Sequence, residues 1–382
     1  MSDRREFLRQ ALGVAAGVGA GVGGSVGANI VSLDAQRPGA MPTARATAFM
    51  NAFGLKYPIC NAGMGTFASA ALATAVANAG GLGGTGTGTR FAGGDPSVAN
   101  PAMRKVVTDI RAGTKGPFAV NYLLHFDPVT LPAALDAGAP VIQFAWGIPS
   151  PEIVTMIRKA GAKMGIQVAS AAGARRAIDA GADYLICQGT EAGGHVQAST
   201  SLYDTLASVI DEAKNVHVLA AGGIANGAHI RRALQAGAAG VLIGTRFIAT
   251  KEAAVHDEWK SALTRARAAD TVLTLCYQDG WPNAPHRVLR NKTFTMWEAA
   301  GCPPPGKRPG EGDVITTNAA NGNTKKRYSI GGPSPNDRGD IAELPRHAGT
   351  GVDAIRDIPS AGELVARLWK ECLSAIETGI GD

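Results

Sequence analysis

The feature that most constrains the fold is a unit that recurs eight times between residues 58 and 247. Each unit begins with a short apolar run, passes through a glycine-rich turn and continues into a helical pattern that commonly ends in Ala-Gly. The apolar runs lack strict alternation, which is typical of strands buried on both faces of a parallel sheet. They occupy residues 58–63, 82–88, 117–124, 140–147, 163–170, 182–189, 217–224 and 240–247.

Eight consecutive strand–helix units predict a (β/α)₈ TIM barrel over residues 41–268. A doubly wound parallel sheet is the alternative, but such a sheet more often places its phosphate-binding glycines after the first strand. Here the most pronounced glycine clusters follow the sixth, seventh and eighth strands, which favours the barrel. The helical patterns include Ser69–Ala79, Met103–Ala112, Pro151–Ala160, Ala172–Ala180 and His229–Ala236.

The alternation stops near residue 268, and residues 269–382 are predicted to form an extension that packs across the barrel. Within it, residues 303–340 are rich in Pro, Gly and Asn without sustained periodicity, which predicts a long irregular segment. Leucines recur at helical spacing over Ala361–Ile376, which predicts a terminal helix.

Residues 1–40 are predicted to be a leader outside the fold. Arg4 and Arg5, followed by Phe7 and Leu8, precede a weakly apolar stretch rich in glycine, and this order resembles a twin-arginine export signal. Such a signal directs folded protein to the periplasm, often with its cofactor already bound. The alternative is a disordered glycine-rich leader on a protein that stays in the cytoplasm. No later run reaches 18 apolar residues, so no stable membrane span is predicted.

Composition narrows the possible functions. Hydrophobic residues make up 45% and charged residues 18% of the chain, enough for a sizeable core. The formal charge of +6 comes from Lys and Arg spread along the chain, which gives a nucleic-acid role little support. Five cysteines form no CxxC pair, so no metal site is predicted.

Two glycine clusters predict a phosphate site at the barrel mouth. Gly222 and Gly223 follow the seventh strand, and Gly244 and Thr245 follow the eighth. In (β/α)₈ barrels the loops after these two strands commonly bind phosphate, together with a helix N-terminus. Glycines let backbone N–H groups approach the phosphate oxygens, and the Thr245 hydroxyl adds a further donor.

His195 is the candidate general base. It follows Gly193-Gly194 just beyond the sixth strand, at the end of the barrel where catalytic residues lie. An imidazole with an ordinary pKa near 6.5 suits proton transfer at neutral pH. Glu191 is interpreted as a helix-start charge or a partner of the site rather than as a catalytic acid. Structural or surface roles are expected for five other histidines, namely His125, His229, His256, His286 and His347.

The end of the first strand suits a flat ring, because the small residues Ala62 and Gly63 allow close backbone approach and Met64 can pack on a ring face. Neutral amides toward the mouth suit a heterocycle such as isoalloxazine. They belong to Asn121, Gln143 and Gln167. A barrel without a metal cluster, a GxSxG motif or paired carboxylates needs a cofactor for redox chemistry.

Several segments resemble the nitronate monooxygenase family, formerly called 2-nitropropane dioxygenases. They include PICNAGMGTFASAALATAVANAGGLG from residue 58, GADYLICQGTEAGGHVQ from residue 181 and AAGGIANGAHIRRALQAGAAGVLIGTRFIATKEA from residue 220. WPNAPHRVLRN (281–291) and residues 347–368 resemble the C-terminal signatures of that family. The resemblance covers residue 49 to the end, apart from the Pro/Gly/Asn-rich insert.

The resemblance implies an FMN-dependent enzyme with His195 as general base. By position it implies flavin contacts from Ala62, Gly63, Met64, Asn121, Gln167, Gln188, Gly189, Gly194, Gly222, Gly223, Gly244 and Thr245. Two positions depart from the family pattern: Gly63 stands where a proline usually precedes the methionine, and Gln197 replaces a common glycine. The change at Gly63 makes this segment more similar to flavin-type enoyl-acyl-carrier-protein reductases, which share the Gly-Gly-His turn.

The leading hypothesis is therefore FMN-dependent oxidation of alkyl nitronates or nitroalkanes with O₂, with a small molecule as the only partner besides O₂. One alternative is an NAD(P)H-dependent flavin reductase, such as an enoyl-thioester reductase. The other is a flavin binder without catalytic activity. The oligomeric state stays open.

Overall fold

The computed structural model describes residues 41–87 and 95–375, and within them eight parallel strands form a barrel. The sheet runs in the order β1-β9-β8-β6-β5-β4-β3-β2, and a parallel bridge from Cys60 to Leu82 joins its two edges. The predicted (β/α)₈ barrel is thus confirmed, and the doubly wound alternative is wrong. The strands are β1 Ile59–Asn61, β2 Gly83–Gly86, β3 Phe118–Leu123, β4 Val141–Ala145, β5 Lys163–Val168, β6 Tyr184–Gln188, β8 His217–Ala221 and β9 Gly240–Ile243.

Helices connect the strands, and most begin at a side chain that accepts a backbone N–H, as Ser150 and Ser170 do. The Ala-Gly pairs of the sequence lie at helix ends, where the chain turns back toward the sheet. The helices in chain order are α1 Ala44–Phe53, α2 Ala70–Asn78, α3 Pro96–Gly113, α4 Leu131–Asp136, α5 Pro151–Lys159, α6 Ala171–Asp179, α7 Leu202–Ala213, α8 Gly227–Gln235, α9 Thr245–Ile248 and α10 Asp257–Arg265.

Helix α1 covers the end of the barrel at which the strands begin. Its buried Phe49 and Phe53 reach Tyr184 in the barrel interior, with ring centroids 6.1 and 5.2 Å apart. Both phenylalanines also contact the ring of His217 at the start of β8. With its lower end packed in this way, the barrel can receive a ligand at the opposite end, where the strands terminate.

The extension packs across the barrel mouth. Its hairpin of β10 (Thr271–Thr274) and β11 (His286–Leu289) adds the short strand β7 (Gly194–His195) as a third, antiparallel member. Helix α11 (Lys292–Ala299) follows, and the terminal helix α12 (Ala361–Ser374) packs against α8.

The expectation of an irregular segment at residues 303–340 is wrong in part. Three short antiparallel strands form there: β12 (Val314–Asn318), β13 (Thr324–Lys326) and β14 (Asp337–Gly339). Charged contacts stabilise this sheet, among them the buried pair Arg327–Glu343. Strands of three to five residues held by ion pairs leave no hydrophobic period in the sequence.

The proposed leader, residues 1–40, lies outside the described residues. Across the part of the chain that is described, none of the helices combines the length and the apolar character needed to cross a membrane.

Candidate functional site

The Gly-Gly-His turn is held from two sides. On one side β7 pairs with β11, so that His195 lies opposite His286 in the sheet register. On the other side the Gln188 amide bonds the turn twice: its Nε2 donates to the His195 carbonyl at 3.1 Å, and its Oε1 accepts the Gln197 N–H at 2.8 Å. These contacts fix the backbone that presents the His195 imidazole.

The His195 ring lies in an aromatic cluster at the barrel mouth. The Trp281 indole stacks on it with centroids 4.2 Å apart, and His286 and His347 follow at 5.4 and 6.0 Å. Burial, with smaller contributions from these two histidines and His125, holds the pKa of His195 well below its usual range. The imidazole is therefore neutral at pH 7 and able to accept a proton. Its Nε2 is buried and has no hydrogen-bond partner among residues 41–87 and 95–375.

Two neighbouring imidazoles are also held neutral. His286 contacts the Ala284 carbonyl through Nδ1 at 3.0 Å and accepts the Tyr277 N–H at Nε2, and burial lowers its pKa to about 4. His347 lies 3.3 Å from the Ile330 carbonyl through Nε2, and burial lowers its pKa to about 3. Both histidines were expected to have structural or surface roles, yet they line the surroundings of His195.

The other histidines differ in position. His125 stacks on Trp281 at 5.0 Å and so belongs to the cluster. By contrast, His229 accepts the Ala225 N–H, and His256 caps α10, which are structural roles.

A cradle of small residues lies where β1 and β9 end. A Cβ on Gly63 would come within 2.5 Å of the Asn121 Cβ and 2.6 Å of the Thr85 carbonyl oxygen, so this backbone position has no room for a side chain. Ala62 and Met64 flank the position of Gly244, where a Cβ would lie 3.6–3.7 Å from them. The structure thus brings together the predicted residues that follow the first and last strands.

A second glycine cluster lies at the ends of β6, β8 and β9. Gly223 has a left-handed backbone (φ 68°), and a Cβ there would lie 3.3 Å from the Thr350 hydroxyl. The Thr245 hydroxyl accepts the Gly349 N–H at 3.0 Å, so its own proton is available to a ligand. Residues 349–351 of the extension therefore pack against the turns predicted to bind phosphate, which the sequence had placed only in the barrel loops. A Cβ on Gly222 would lie 3.3 Å from the Gly189 carbonyl oxygen, so these two glycines are close neighbours.

At two helix N-termini near the cradle, a side-chain carboxylate already accepts a backbone N–H. Glu191 accepts the Leu202 N–H at the start of α7, in agreement with its interpretation as a helix-start charge. Glu371 of α12 accepts the Gly227 N–H at the start of α8. The helix that follows the seventh barrel strand is thus capped by the extension instead of being open to a phosphate.

The amides toward the mouth form a chain of hydrogen bonds. Gln197 Oε1 accepts from Gln167 Nε2 at 2.6 Å and from the Trp146 N–H at 3.0 Å. Trp146 has a left-handed backbone (φ 62°), an uncommon conformation for a bulky residue that often marks a functional site. Gln197, one of the two departures from the family pattern, thus fixes a tryptophan beside His195. Asn121 lies farther along, with Nδ2 3.5 Å from the Gly63 carbonyl.

Sequence reasoning missed the residues that come from outside the local turn. Trp281, His347 and residues 349–351 reach the site through long-range pairing, chiefly that of β11 with β7. Trp146 directly follows β4, and its left-handed backbone gives no signal in the sequence. The available signal was the pair of C-terminal segments, 281–291 and 347–368, whose resemblance to the family did not by itself place them at the barrel mouth.

The residues of the site fit a flavin. Glycine backbone and the Thr245 hydroxyl suit its phosphate, small residues suit its ring, and the orphaned Nε2 of His195 is left for a substrate. A Cβ on Gly194 would meet no atom of the described residues within 4 Å, so there is open space next to His195. Within residues 41–87 and 95–375, no three His, Cys, Asp or Glu side chains are arranged to hold a metal ion.

The barrel, the glycine cradle and the family match define a flavin-dependent oxidoreductase. More specifically, the chain belongs to the nitronate monooxygenase family, whose model matches residues 46–134 and 127–371.

The similar proteins are named for different activities. A nitronate monooxygenase of Paraburkholderia phytofirmans is 27% identical and covers 86% of this chain and 96% of its own. A (3aS,4S,5R,7aS)-5-hydroxy-7a-methyl-1-oxo-octahydro-1H-indene-4-carboxyl-CoA dehydrogenase of Mycobacterium tuberculosis is 35% identical over 66% of this chain and 68% of its own. Among solved structures, the nitroalkane oxidase of Streptomyces ansochromogenes superposes with a TM-score of 0.66 at 25% identity, covering 87% of this chain and 100% of its own.

Proposed function

We propose that this protein binds FMN and oxidises alkyl nitronates, together with the parent nitroalkanes, using O₂. The observation that carries the proposal is the half-buried, neutral His195 imidazole, whose Nε2 is buried and unpartnered within the described residues, beside open space at the barrel mouth. Family membership and the likeness to a nitroalkane oxidase support the choice of substrate.

The two ends of the site would bind different parts of FMN. Gly222, Gly223, Thr245 and Gly349 would hold the phosphate of FMN, while Ala62, Gly63 and Met64 would contact its ring. When bound, FMN supplies an electron acceptor that O₂ can reoxidise.

His195 would handle the proton. With a neutral nitroalkane, its Nε2 would accept the proton from the carbon that bears the nitro group. The Gln188 amide and strand β11 hold the backbone of His195 during this step, and the Trp281 ring packs against its imidazole. A nitronate is already deprotonated, so it would need the site for binding but not the base.

Oxygen consumption tests the proposal. We expect the purified holoenzyme to consume O₂ with a small alkyl nitronate and to leave its flavin oxidised under anaerobic NADPH. Absence of turnover with both the nitronate and the nitroalkane would contradict the proposal.

A second candidate is an NAD(P)H-dependent flavin reductase that acts on a thioester. It is favoured by Gly63, which stands where nitronate monooxygenases commonly carry proline, and by the relative named as a CoA-ester dehydrogenase. Rapid anaerobic bleaching of the flavin by NADPH would select this candidate. If the protein retains flavin but turns over neither class of substrate, it is a non-catalytic flavin binder.

A further inference from the structure

The loop of residues 275–285, which joins β10 to β11, carries Trp281 directly onto His195. The indole is almost fully buried and stacks on both His195 and His125, with centroids 4.2 and 5.0 Å away. The Trp146 ring meets it at 4.9 Å, edge to face. The same stack covers the imidazole whose Nε2 is buried. Trp281 therefore covers one face of the His195 ring and restricts access to it from that side.

Residues 303–340 contact this loop just before Trp281. The Arg308 guanidinium, buried and placed over the Tyr328 ring, forms an ion pair of 2.6 Å with Asp279. The backbone of Asp279 is bonded twice as well: its N–H donates to the Tyr328 carbonyl at 3.3 Å, and its carbonyl accepts the Ile330 N–H at 3.4 Å. Asp279, two residues before Trp281, is thus held by Arg308, Tyr328 and Ile330 of the insert.

The same insert also reaches the histidine cluster, since the Ile330 carbonyl lies 3.3 Å from Nε2 of His347. Tyr328 packs against Tyr277 and Cys276 at the beginning of the loop. Several contacts of the insert are therefore made with the loop that covers His195 or directly beside it.

We propose that residues 303–340 brace the Trp281 loop, with Asp279 and Arg308 as a positioning pair that sets how far the indole closes over His195. The walls that result are aromatic or neutral: Trp146, Trp281, His125 and Phe126. Such walls favour small substrates whose carbon chain is apolar, because a charged group on that chain would lose hydration without gaining a partner. This inference rests on the proposed function, in that it takes His195 as the group that substrate must reach.

Chemical modification of the holoenzyme tests the brace without using turnover. Diethyl pyrocarbonate acylates accessible neutral imidazoles, and peptide mapping by mass spectrometry separates His195 from His125. In Asp279→Ala we expect the rate of modification at His195 to rise about fivefold, the shift produced by losing one partly exposed ion pair. Trp281→Ala, which leaves the brace intact, should give at least the same rise.

Three further variants make the test specific. Arg308→Lys keeps the charge and should restore a rate near wild type, whereas Arg308→Met should match Asp279→Ala. Arg175→Met breaks an exposed ion pair with Glu212 on the outside of the barrel and should change nothing. In Asp279→Ala and Arg308→Met, KM for a small nitroalkane should rise, while kcat and flavin content stay near wild type.

The outcomes separate this inference from the proposed function. If His195 is modified at the wild-type rate in both Asp279→Ala and Arg308→Met, the brace is wrong, even in an active enzyme. If the modification rates follow the prediction but neither nitronate nor nitroalkane is oxidised, the brace stands and the substrate assignment fails. Should Asp279→Ala not fold, Asp279→Asn removes the charge while keeping the side-chain shape and answers the same question.

Discussion

Lowering the pH from 8 to 5 should destabilise the fold through His286 and His347. An unfolded chain protonates an imidazole as the pH falls through about 6.5. In the folded protein burial lowers the pKa of His286 to about 4 and that of His347 to about 3. The unfolded state therefore binds more protons between these values, and stability that is fully present above pH 6.5 is lost as the pH falls. At pH 5 each of the two histidines lowers the free energy of unfolding by about 2 kcal/mol relative to pH 8. Together they lower it by about 4 kcal/mol.

Urea unfolding of wild type and His347→Gln at both pH values measures this effect. The packing lost on substitution is present at both pH values and cancels in the difference between them. The loss of stability from pH 8 to pH 5 should then be about 2 kcal/mol smaller in His347→Gln than in wild type. An unchanged pH dependence in the variant, or imidazole titrations near pH 6.5 by NMR for both residues, would refute the reasoning.

Three further predictions concern the cofactor, the leader and the base. Denatured protein should release FMN, and Gly223→Asp should lose it, because the new carboxylate occupies a left-handed backbone position (φ 68°) beside the phosphate; released FAD would contradict this. We propose that residues 1–40 direct export of the folded protein, so replacing Arg4 and Arg5 with Lys should hold a fused reporter in the cytoplasm; unchanged export would exclude a twin-arginine signal. Because the pKa of His195 is lowered, kcat/KM for neutral nitroalkanes should stay level from pH 8 to pH 6, and a break near pH 6.5 would count against its burial.

The barrel could be predicted because its information is local. Each strand is a short apolar run followed by a glycine-rich turn, and the helices commonly end at Ala-Gly, so eight units could be counted along the chain. Helix α1 was not predicted, since the repeat begins only after it, and its role as the lower plug depends on contacts of Phe49 and Phe53 with Tyr184 inside the barrel.

The site divides along the same line. His195 and the barrel glycines follow barrel strands closely in the sequence. Because every strand ends at the barrel mouth, this placement predicts where these residues lie. Trp281 and His347 reach His195 only because β11 pairs with β7, a long-range register that no local pattern encodes. Likewise, the brace depends on an ion pair between Asp279 and Arg308, two charged residues that the sequence alone gives no reason to associate.

The most direct test of the central claim compares two substrates in His195→Asn. His195 is the proposed base that removes a proton from a neutral nitroalkane, a role that a preformed nitronate does not require. Activity on the nitroalkane should therefore fall by roughly 10²–10⁴-fold, the usual contribution of a general base. Activity on the matching nitronate should fall much less, with FMN content near that of wild type. Equal losses on both substrates with the flavin retained would contradict the assignment of His195 as the base.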